Sequence, residues 1–476
     1  MTDYEPVIGL EIHVQLKTRT KMFCGCALSF GDPPNTHTCP VCLGLPGSLP
    51  VINAGAVDFA LMIGLALGCE IAERSLFHRK NYFYPDLPKG YQISQYDVPI
   101  CRGGRLGDVR IHRVHLEEDA AKLTHLGESG RIHGSSSSVV DFNRGGTPLV
   151  EIVTEPDVHS PEQAREWLTL LRATLKALGV SDVNMEEGSL RCDANVSVRP
   201  VGSTELGTKT ELKNMNSFRY LASGVRAEIE RQIALLESGR PVVQETLHFD
   251  PSSGRISSLR SKEEAHDYRY FPEPDLVPVL ATEEMVATAR AALPELPAAR
   301  ALRFERDLGL SAERARELAF RTERADYFEA ALAAGEADID AATVANWISQ
   351  LVERIGGDTD PAASRVTPAS LAALVSMVAS RQVNRDAARD VLTKLVDAGG
   401  HPRQIVEREG LGAIAADDAG LAEIVARAIA ADPDAVAKVR AGNLKAIGPL
   451  VGFVKRETKG RADGGEVTRM LREHIG

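Results

Sequence analysis

Apolar and polar residues alternate along four runs in the first part of the chain. These runs are VIGLEIHVQL from Val7, VRIHRVHL from Val109, LVEIVTEPD from Leu149 and DANVSVRP from Asp193. Alternation with a period of two predicts β-strands that bury one face. Apolar residues recur at helical spacing from 54 to 67 and from 161 to 178. Up to about residue 278 the pattern therefore predicts a sheet-rich region with few helices.

The composition changes after about Pro297. The chain becomes rich in Ala, Arg, Glu and Leu, and strand periodicity ends there. A second boundary lies near residues 401 to 412, after which short helical segments lead to the C-terminus. We therefore predict an α+β protein with a large sheet domain at 1–296, an all-α domain at 297–405 and a small helical tail domain at 406–476.

The chain has 476 residues, a net charge of −11 and a pI near 5.7. An acidic protein does not bind polyanions through its overall charge, so any contact with nucleic acid must be local. The segment from Lys438 to Gly476 is an exception, because nine basic residues oppose four acidic ones and give a net charge of +5. No apolar run reaches membrane-spanning length and no export signal is recognisable, so we expect a cytoplasmic protein without membrane contact.

Four cysteines form two closely spaced pairs, Cys24 with Cys26 and Cys39 with Cys42. Two thiolate pairs separated by such a loop can close tetrahedrally around Zn²⁺. The alternative is four buried or disulfide-bonded cysteines, and a reducing cytoplasm disfavours disulfides. We predict a structural zinc site, because four thiolates leave no open position for chemistry.

The strand that begins near Val7 carries polar side chains on one face. Its period of two places Glu11, His13 and Gln15 together, opposite the aliphatic residues. A half-exposed strand without a function would show the same pattern. Further acids occur in similar settings, in the run 115–119, at Glu151, and in the run 186–193.

Carboxylates that are held together repel one another unless a cation neutralises them. The recurring oxygen-rich positions therefore predict one or more Mg²⁺ ions, which commonly share substrate phosphates. Phosphoryl transfer fits such a site. The segment 202–210 nearly matches a phosphate loop, but a residue is inserted before Lys209, and we expect a hairpin tip instead.

The segment from Arg79 to Gln92 combines cations, amides and aromatic residues next to proline and glycine. It is too polar for a core and unusually aromatic for a loop. Two interpretations stand at this point. The segment either binds nucleotide or lines a polar passage, or its tyrosines form a structural cluster.

Seven ordered runs between Val7 and Leu276 resemble the GatB family, a subunit of the bacterial tRNA-dependent amidotransferase that converts Glu-tRNA(Gln) or Asp-tRNA(Asn) to the amide. The runs are VIGLEIHVQLKT, KNYFYPDLPKGYQISQYD, HLEEDAAKLTH, DFNRGGTPLVEIVTEPD, MEEGSLRCDANVSVR, ELKNMNSFR and RSKEEAHDYRYFPEPDL. The resemblance weakens through the helical part and returns at residues 448–452 and 458–460, which are similar to the family's tRNA-contacting tail. It implies a cradle of mainly antiparallel sheet followed by two helical domains.

The resemblance also implies a division of labour within a heterotrimer. An amidase subunit releases ammonia, and a small third subunit wraps the assembly. The GatB subunit activates the carboxylate of the misacylated tRNA with ATP and admits the ammonia to the acyl phosphate. The family's catalytic and Mg²⁺-binding residues map onto Glu11, His13, Glu118, Glu151 and Asp193.

Three further residues, Lys80, Lys89 and Glu187, are candidate cofactor-binding residues. The two lysines fall in the family's segment between the active site and the ammonia passage. The zinc site is present only in some members of the family. Because this chain has all four cysteines, the resemblance agrees with the zinc site expected from their spacing.

The basic tail contains the candidate tRNA contacts, Lys455, Arg456, Lys459 and Arg461. Localised positive charge can neutralise RNA phosphates even on an acidic protein. Cations in the last turn of a helix that ends near Gly460 would also complement the helix dipole, which is a purely structural explanation. The similarity to the family's tail favours contact with tRNA.

Two other functions stay open. The chain could be a non-catalytic, zinc-containing adaptor that binds tRNA, or an amidase that makes its own ammonia with the serines at 134–138. The second is weaker, because a serine run without a catalytic lysine is usually a turn. The sequence decides neither between Glu-tRNA(Gln) and Asp-tRNA(Asn), nor which carboxylate binds which ion, nor the path of the ammonia.

Overall fold

The computed structural model describes residues 3–126, 135–213, 215–261, 268–335, 339–357, 359–412, 419–458 and 461–476. The chain divides into two compact units, Met1–Ala298 and Ala299–Gly476. None of the helices in these described stretches is long and apolar enough to cross a membrane.

The first unit is built on a large sheet. Its strands are β1 (Tyr4–Gln15), β2 (Glu70–Ile71), β3 (Arg74–Ser75), β4 (His78–Asn81), β5 (Tyr91–Ser94), β6 (Cys101–Arg102), β7 (Arg105–Leu106), β8 (Val109–Glu118), β9 (Lys122–Leu126), β10 (Ser137–Asp141), β11 (Pro148–Thr154), β12 (Leu190–Pro200), β13 (Thr210–Lys213), β14 (Glu245–Asp250), β15 (Arg255–Ser261), β16 (Phe271–Pro272) and β17 (Val279–Leu280). The four runs of alternating residues correspond to β1, β8, β11 and β12, so these strand predictions are confirmed.

The main sheet has the order β15-β14-β13-β12-β1-β11-β8-β5-β4-β16. Its pairs are antiparallel apart from the parallel pair β13 and β14. β1 lies in the middle, between β11 and β12. The polar face predicted for β1 is therefore flanked on both sides by strands that carry acids.

The apolar face of the sheet is covered by helices of the same unit, α1 (Ala54–Ala66), α2 (Pro161–Ala177), α3 (Phe218–Glu237) and α4 (Glu283–Ala291). Ile8, Leu10 and Ile12 of β1 share one buried core with side chains of all four helices. α2 begins at Ser160, whose Oγ accepts a hydrogen bond from the Gln163 amide at 3.0 Å. This capping bond satisfies one of the free amides of the first turn.

The sequence pattern did not single out α3, and its buried face explains why. Glu228 and Gln232 are fully buried on that face, next to Leu221 and Val225. Both polar side chains bond to Thr210 of β13, at 2.7 and 3.0 Å respectively. A face that alternates apolar residues with satisfied polar ones lacks the regular apolar period of an amphipathic helix.

The second unit is helical throughout the part that the structure describes. Its helices are α5 (Pro297–Leu308), which begins at the unit boundary, α6 (Ala312–Ala319), α7 (Thr322–Ala334), α8 (Ala341–Ile355), α9 (Pro368–Ala379), α10 (Arg385–Ala398), α11 (Pro402–Glu409), α12 (Ala419–Ala431), α13 (Pro433–Arg440), α14 (Gly448–Glu457) and α15 (Gly464–Ile475). The predicted α+β class, a large sheet domain followed by a helical region, is confirmed.

Two hydrophobic clusters lie in the second unit. One gathers residues between Ala301 and Val406, including the edge-to-face pair Phe304 and Phe328. The other gathers residues between Leu421 and Ile475. The division into helical domains at 297–405 and 406–476 stays a prediction.

Candidate active site on the central strands

The register of the central strands brings the polar side chains of β1 next to acids from both neighbours. His13 lies opposite Glu151 of β11, and Glu11 lies opposite Asp193 of β12. Glu151 in turn lies opposite His115 of β8. A row of imidazoles and carboxylates therefore crosses four adjacent strands on one face of the sheet.

Glu151 is the centre of this cluster. Its Oε2 lies 3.4 Å from His13 Nε2 and 3.3 Å from His115 Nε2. Glu117 joins from β8, with its Oε1 3.8 Å from His13 Nε2. The ligand atoms of Glu11, His13 and Glu151 lie within 4.8 Å of one another, a spacing at which one divalent cation can contact all three.

The electrostatics of the cluster favour a bound cation. Burial raises the pKa of Glu11 to about 7, and Glu151 adds to the shift. Burial alone would lower the pKa of His13, but hydrogen bonding and charge from Glu151, with Glu117 and Glu11, outweigh it and raise the value to about 9. Both groups hold protons that a divalent cation would displace, because carboxylates this close need positive charge between them.

The residues present fit a divalent cation. Glu151 is 5% exposed, and its Oε1 accepts no hydrogen bond from the residues that the structure describes. Nη2 of Arg113 lies 3.5 Å from this Oε1. A buried carboxylate oxygen without a donor is costly unless something positive completes its surroundings. Oxygen ligands from Glu11, Glu117 and Glu151, with one imidazole, form a donor set that suits Mg²⁺ or Mn²⁺.

A cavity of about 280 Å³ opens beside the cluster. Three half-buried cations stand at its wall: Lys80, Arg191 and Lys213. Arg191 pairs with Asp119 at 3.0 Å, and Lys213 pairs with Asp193 at 3.0 Å. Because carboxylates and cations line the same cavity, it can hold an anionic substrate next to a metal ion.

Glu118 does not belong to this cluster. It lies on the opposite face of β8, where Lys89 Nζ contacts its Oε1 and the Ile93 amide donates to the same oxygen at 3.0 Å. Both side chains are nearly buried. The structure therefore brings together Glu11, His13 and Glu151, with Asp193 opposite Glu11, and places Glu118 elsewhere.

Glu117 and His115 are the members of the cluster that the sequence analysis missed. Adjacent residues of a strand point to opposite faces, so Glu117 shares its face with His115 and Glu118 does not. Counting by two along VRIHRVHLEE would have selected Glu117. The run therefore contained the information needed. It ends in two consecutive acids, and the alternation by two was not carried through to choose between them.

The candidate cofactor-binding residues have separate locations. Lys80 reaches the cavity, where its Nζ lies 4.7 Å from the ring centre of Tyr268. Tyr270, Glu117 and Glu151 raise the pKa of Lys80 although its burial works in the other direction. Lys89 is held by Glu118, and Glu187 is exposed in the turn before β12.

The four cysteines converge on one point. Their sulfurs lie within 4.8 Å of one another, and all four are free thiols. The Cys39 amide donates to Cys42 Sγ at 3.2 Å, and a hydrogen bond from Cys24 lowers the pKa of Cys42 to about 4. Four sulfurs at this spacing fit a tetrahedral Zn²⁺, for which each Zn–S bond is about 2.3 Å.

A buried lysine stands beside these sulfurs. Lys21 is 1% exposed, donates to the Phe142 carbonyl at 2.9 Å, and contributes to the lowered pKa of Cys42. Lys21, Cys24, Cys42, Lys89 and Glu118 line one small cavity of about 60 Å³. The cysteine cluster therefore adjoins the Lys89 and Glu118 pair on the core side of β8.

Comparisons with known proteins identify relatives of this chain. A family model described as the GatB/GatE catalytic domain matches residues 6–287, and one described as the GatB domain matches residues 326–475. The corresponding subunit of the aspartyl/glutamyl-tRNA(Asn/Gln) amidotransferase of Anaeromyxobacter dehalogenans is 49% identical over 100% of this chain and 99% of its own length. The chain belongs to the GatB family. The counterpart from Frankia casuarinae is 51% identical over 99% of this chain and 96% of its own length.

The family resemblance drawn from the sequence motifs is thus confirmed. The counterpart from Geobacter sulfurreducens is 49% identical over 99% of this chain and 99% of its own length. Two segments of this GatB-family chain bear on earlier alternatives, a phosphate loop at 202–210 and an amidase serine at 134–138. Residues 202–210 connect the antiparallel strands β12 and β13, so the expected hairpin tip is confirmed. Of the serine run, Gly134 lies outside the described residues, and Ser137 and Ser138 begin β10.

The candidate tRNA contacts of the GatB-family tail differ in their surroundings. Lys455 Nζ lies 2.6 Å from Asp386 Oδ2 of α10, and Arg461 Nε donates to the Thr458 carbonyl at 3.2 Å. Arg456 is exposed in the last turn of α14, without an ion pair among the described residues. Lys459 lies outside the described residues. Of the three candidates that the structure describes, Arg456 is therefore the most open to a phosphate.

Proposed function

We propose that this chain is the component of a tRNA-dependent amidotransferase that activates the side-chain carboxylate of misacylated Glu-tRNA(Gln) or Asp-tRNA(Asn) with ATP and amidates it. The observation that supports this most directly is the set of Glu11, His13 and Glu151, which shares Glu151 with a second set of His115, Glu117 and Glu151, beside a cavity walled by cations. The names of the relatives supply the reaction class and the tRNA substrates.

The reaction needs activation because a carboxylate is a poor electrophile. In the first step a carboxylate oxygen of the aminoacyl group attacks the γ-phosphorus of ATP, which releases ADP and leaves an acyl phosphate. In the second step ammonia attacks the acyl carbon and expels phosphate. Positioning and charge stabilisation account for most of the catalysis in phosphoryl transfer, so the side chains around the cavity have those two tasks.

The residues of the chain divide those tasks. Glu11, His13, Glu117 and Glu151 would hold Mg²⁺, which when bound supplies positive charge to the phosphate oxygens. Lys80 and Lys213 reach the same cavity from its walls. Their charges attract the polyphosphate and the substrate carboxylate, and they stabilise the negative charge that develops on the transferred group.

The Lys89 and Glu118 pair has a different task in this proposal. It lies on the opposite face of β8, next to the cysteine cluster, in a segment that the family resemblance connects with ammonia passage. A buried charged pair lets a polar molecule pass without exposing the apolar core. Zn²⁺ at the four cysteines would fix the neighbouring loops and would take no part in the reaction.

The proposal includes partners. An amidase subunit would release the ammonia, a small third subunit would complete the complex, and the basic tail would hold the tRNA at a distance from the reacting group. The net charge of the tail, +5 on an acidic chain, supports an electrostatic contact with RNA phosphates.

The test is ATP hydrolysis and amide formation by the reconstituted heterotrimer, with each misacylated tRNA and with ammonium as an alternative donor. Glu151→Gln should abolish tRNA-dependent ATP hydrolysis and leave glutamine hydrolysis by the amidase partner partly intact. Glu155→Gln, at a half-buried acid just beyond the same strand that pairs with His112 outside the cluster, is the control and should remain active. Tight tRNA binding without any tRNA-dependent ATP hydrolysis would favour the adaptor function instead.

A further inference from the structure

A group of tyrosines lies next to the active-site cavity and is not used by the metal cluster. Tyr96 and Tyr270 stack face to face, with ring centres 4.2 Å apart and an angle of 7° between their planes. Tyr268 meets Tyr270 edge to face at 6.1 Å. Tyr96 is 43% exposed, so this stack presents an aromatic surface to the solvent.

The stack leads into the cavity. Tyr268 contacts Lys80 at the cavity wall, and burial raises the pKa of Tyr270 to about 12, with Lys80 opposing the shift and Glu117 adding to it. Tyr270 therefore lies between the charged groups of the cavity and the exposed ring of Tyr96.

An unusual backbone conformation occurs at the residue between two of these tyrosines. Arg269 lies between the two tyrosines in the sequence and has a φ of 47°, in the left-handed region that non-glycine residues rarely adopt. Asn81 Nδ2 stabilises this conformation by donating to the Arg269 carbonyl at 2.9 Å and to the Tyr268 carbonyl at 3.3 Å. Because Tyr268 and Tyr270 turn towards Lys80, the intervening Arg269 side chain is left exposed.

Strained backbone of this kind persists where the surroundings enforce it, and it is concentrated at functional sites. An exposed aromatic ring, together with an exposed arginine that is adjacent in the chain to the ring's stacking partner, is a combination suited to a nucleotide. Stacking of an aromatic ring on a base is strong and does not depend on which base it is. The guanidinium can form charge-assisted hydrogen bonds with the phosphate. A purely structural tyrosine cluster would need neither the exposure of Tyr96 nor the strain at Arg269.

We propose that Tyr96, Tyr270 and Arg269 form a binding site for an adenine nucleotide, and that this nucleotide is the aminoacylated 3′-terminal adenosine of the tRNA. The second part rests on the proposed function. The amino acid to be activated is esterified to the ribose of that nucleotide, so its base must lie within one nucleotide of the cavity. ATP offers the same base, and the experiment below separates the two sources.

The test uses two probes with the full chain at one fixed salt concentration. One is the trinucleotide CCA with a fluorescent label attached through its 5′ phosphate, and the other has an abasic third nucleotide. Wild-type protein should bind CCA at least about fivefold more tightly than the abasic probe, the loss expected for one stacked base. Tyr96→Ser should remove this preference, and Tyr96→Phe, which retains the ring, should restore it. Arg269→Ala should weaken both probes equally and reduce their dependence on salt.

Phe30→Ser is the control, since Phe30 is also an exposed aromatic residue (79%) and lies outside the stack. It should keep the preference for CCA. Equal binding of both probes by the wild type, or an unchanged preference in Tyr96→Ser, would overturn the proposal. Displacement of CCA by excess ATP, with a raised KM for ATP in Tyr96→Ser and an unchanged KM for aminoacyl-tRNA, would reassign the site to the base of ATP.

Failure of the proposed function can be distinguished from failure of this site. A wild-type complex without tRNA-dependent ATP hydrolysis, but with a preference for CCA that Tyr96→Ser abolishes, would retain the nucleotide site and refute the activation chemistry. An active complex in which Tyr96→Ser changes neither probe binding nor the KM for aminoacyl-tRNA would retain the activation chemistry and refute the nucleotide site.

Discussion

Glu117 and Glu118 are adjacent in the chain and serve opposite faces of β8. Glu117 Oε1 lies 3.8 Å from His13 Nε2 on the cavity side, whereas Glu118 contacts Lys89 on the core side. The pleat of the strand directs consecutive side chains to opposite faces, and this is enough to separate the two carboxylates. A single strand end therefore contributes one carboxylate to the metal cluster and the next to a buried ion pair.

The two glutamates should respond differently to the same substitution. Glu117→Gln should weaken Mg²⁺ binding by about tenfold or more, because it removes a charged ligand from the cluster. Glu118→Gln should leave Mg²⁺ affinity almost unchanged and lower the stability by about 3 kcal/mol, because Lys89 keeps a buried charge without its partner. Titration calorimetry and urea unfolding of both variants provide the comparison. Loss of Mg²⁺ binding in Glu118→Gln alone would show that the cluster has been assigned to the wrong glutamate.

Glu11 and His13 should stabilise the protein without Mg²⁺ less as the pH rises from about 5 to 9. Their pKa values are raised to about 7 and about 9 in the folded chain, so each group binds more protons in the folded state than in the unfolded state in this range. The contribution of such a group to stability decreases with pH, whereas Cys42, whose pKa is lowered, contributes in the opposite direction. Thermal melting in Mg²⁺-free buffer should therefore show the stability of Glu11→Gln rising relative to that of the wild type between about pH 5 and 7. A stability difference that is the same at every pH would contradict the assignment.

His115 should position Glu151 without binding the cation itself. Arg113 Nε donates to His115 Nδ1 at 3.3 Å, which leaves Nε2 as the ring donor that faces Glu151 Oε2 at 3.3 Å. His115→Leu removes this donor and should weaken Mg²⁺ binding by about tenfold. His115→Gln retains an N–H group at a similar position and should recover much of the affinity. Equal losses in both variants, together with one bound ion fewer per chain, would make His115 a direct ligand.

The cysteine cluster should retain zinc in protein purified under reducing conditions. Cys39→Ser removes one of the four sulfurs and should lose the metal. Lys21→Met should release zinc faster to a chelator, because Lys21 supplies buried positive charge beside Cys42. Lys17→Met, at an exposed lysine that pairs with Asp182, is the control. Elemental analysis without zinc, or a disulfide between Cys24 and Cys42, would refute the prediction.

The tail cations should differ in their effect on tRNA. Arg456→Ala should raise the KM for aminoacyl-tRNA more than Lys455→Ala does, since Lys455 must first leave Asp386. Asp386→Asn releases Lys455 and should lower that KM. Truncation at about Gly412 should raise the KM and flatten its dependence on salt, because fewer phosphates are neutralised. An unchanged KM in a truncated protein that still folds and assembles would exclude the tail from tRNA binding.

The sequence alone determined much of this protein. A period of two fixes which side chains of a strand share a face, so Glu11 and His13 could be grouped before any fold was known. The spacing of Cys24, Cys26, Cys39 and Cys42 is a local property, and the motifs of the first 276 residues were enough to name the family.

Only the tertiary structure decided which distant residues meet. Strand register sets Glu151 opposite both His13 and His115, and the pairing of β1 with β11 joins residues more than a hundred positions apart. The pleat at the end of β8 selects Glu117 over Glu118, and Tyr270, which follows the left-handed residue Arg269, stacks on Tyr96 far away in the sequence. Such relationships arise from packing between elements, and no local pattern in the chain specifies them.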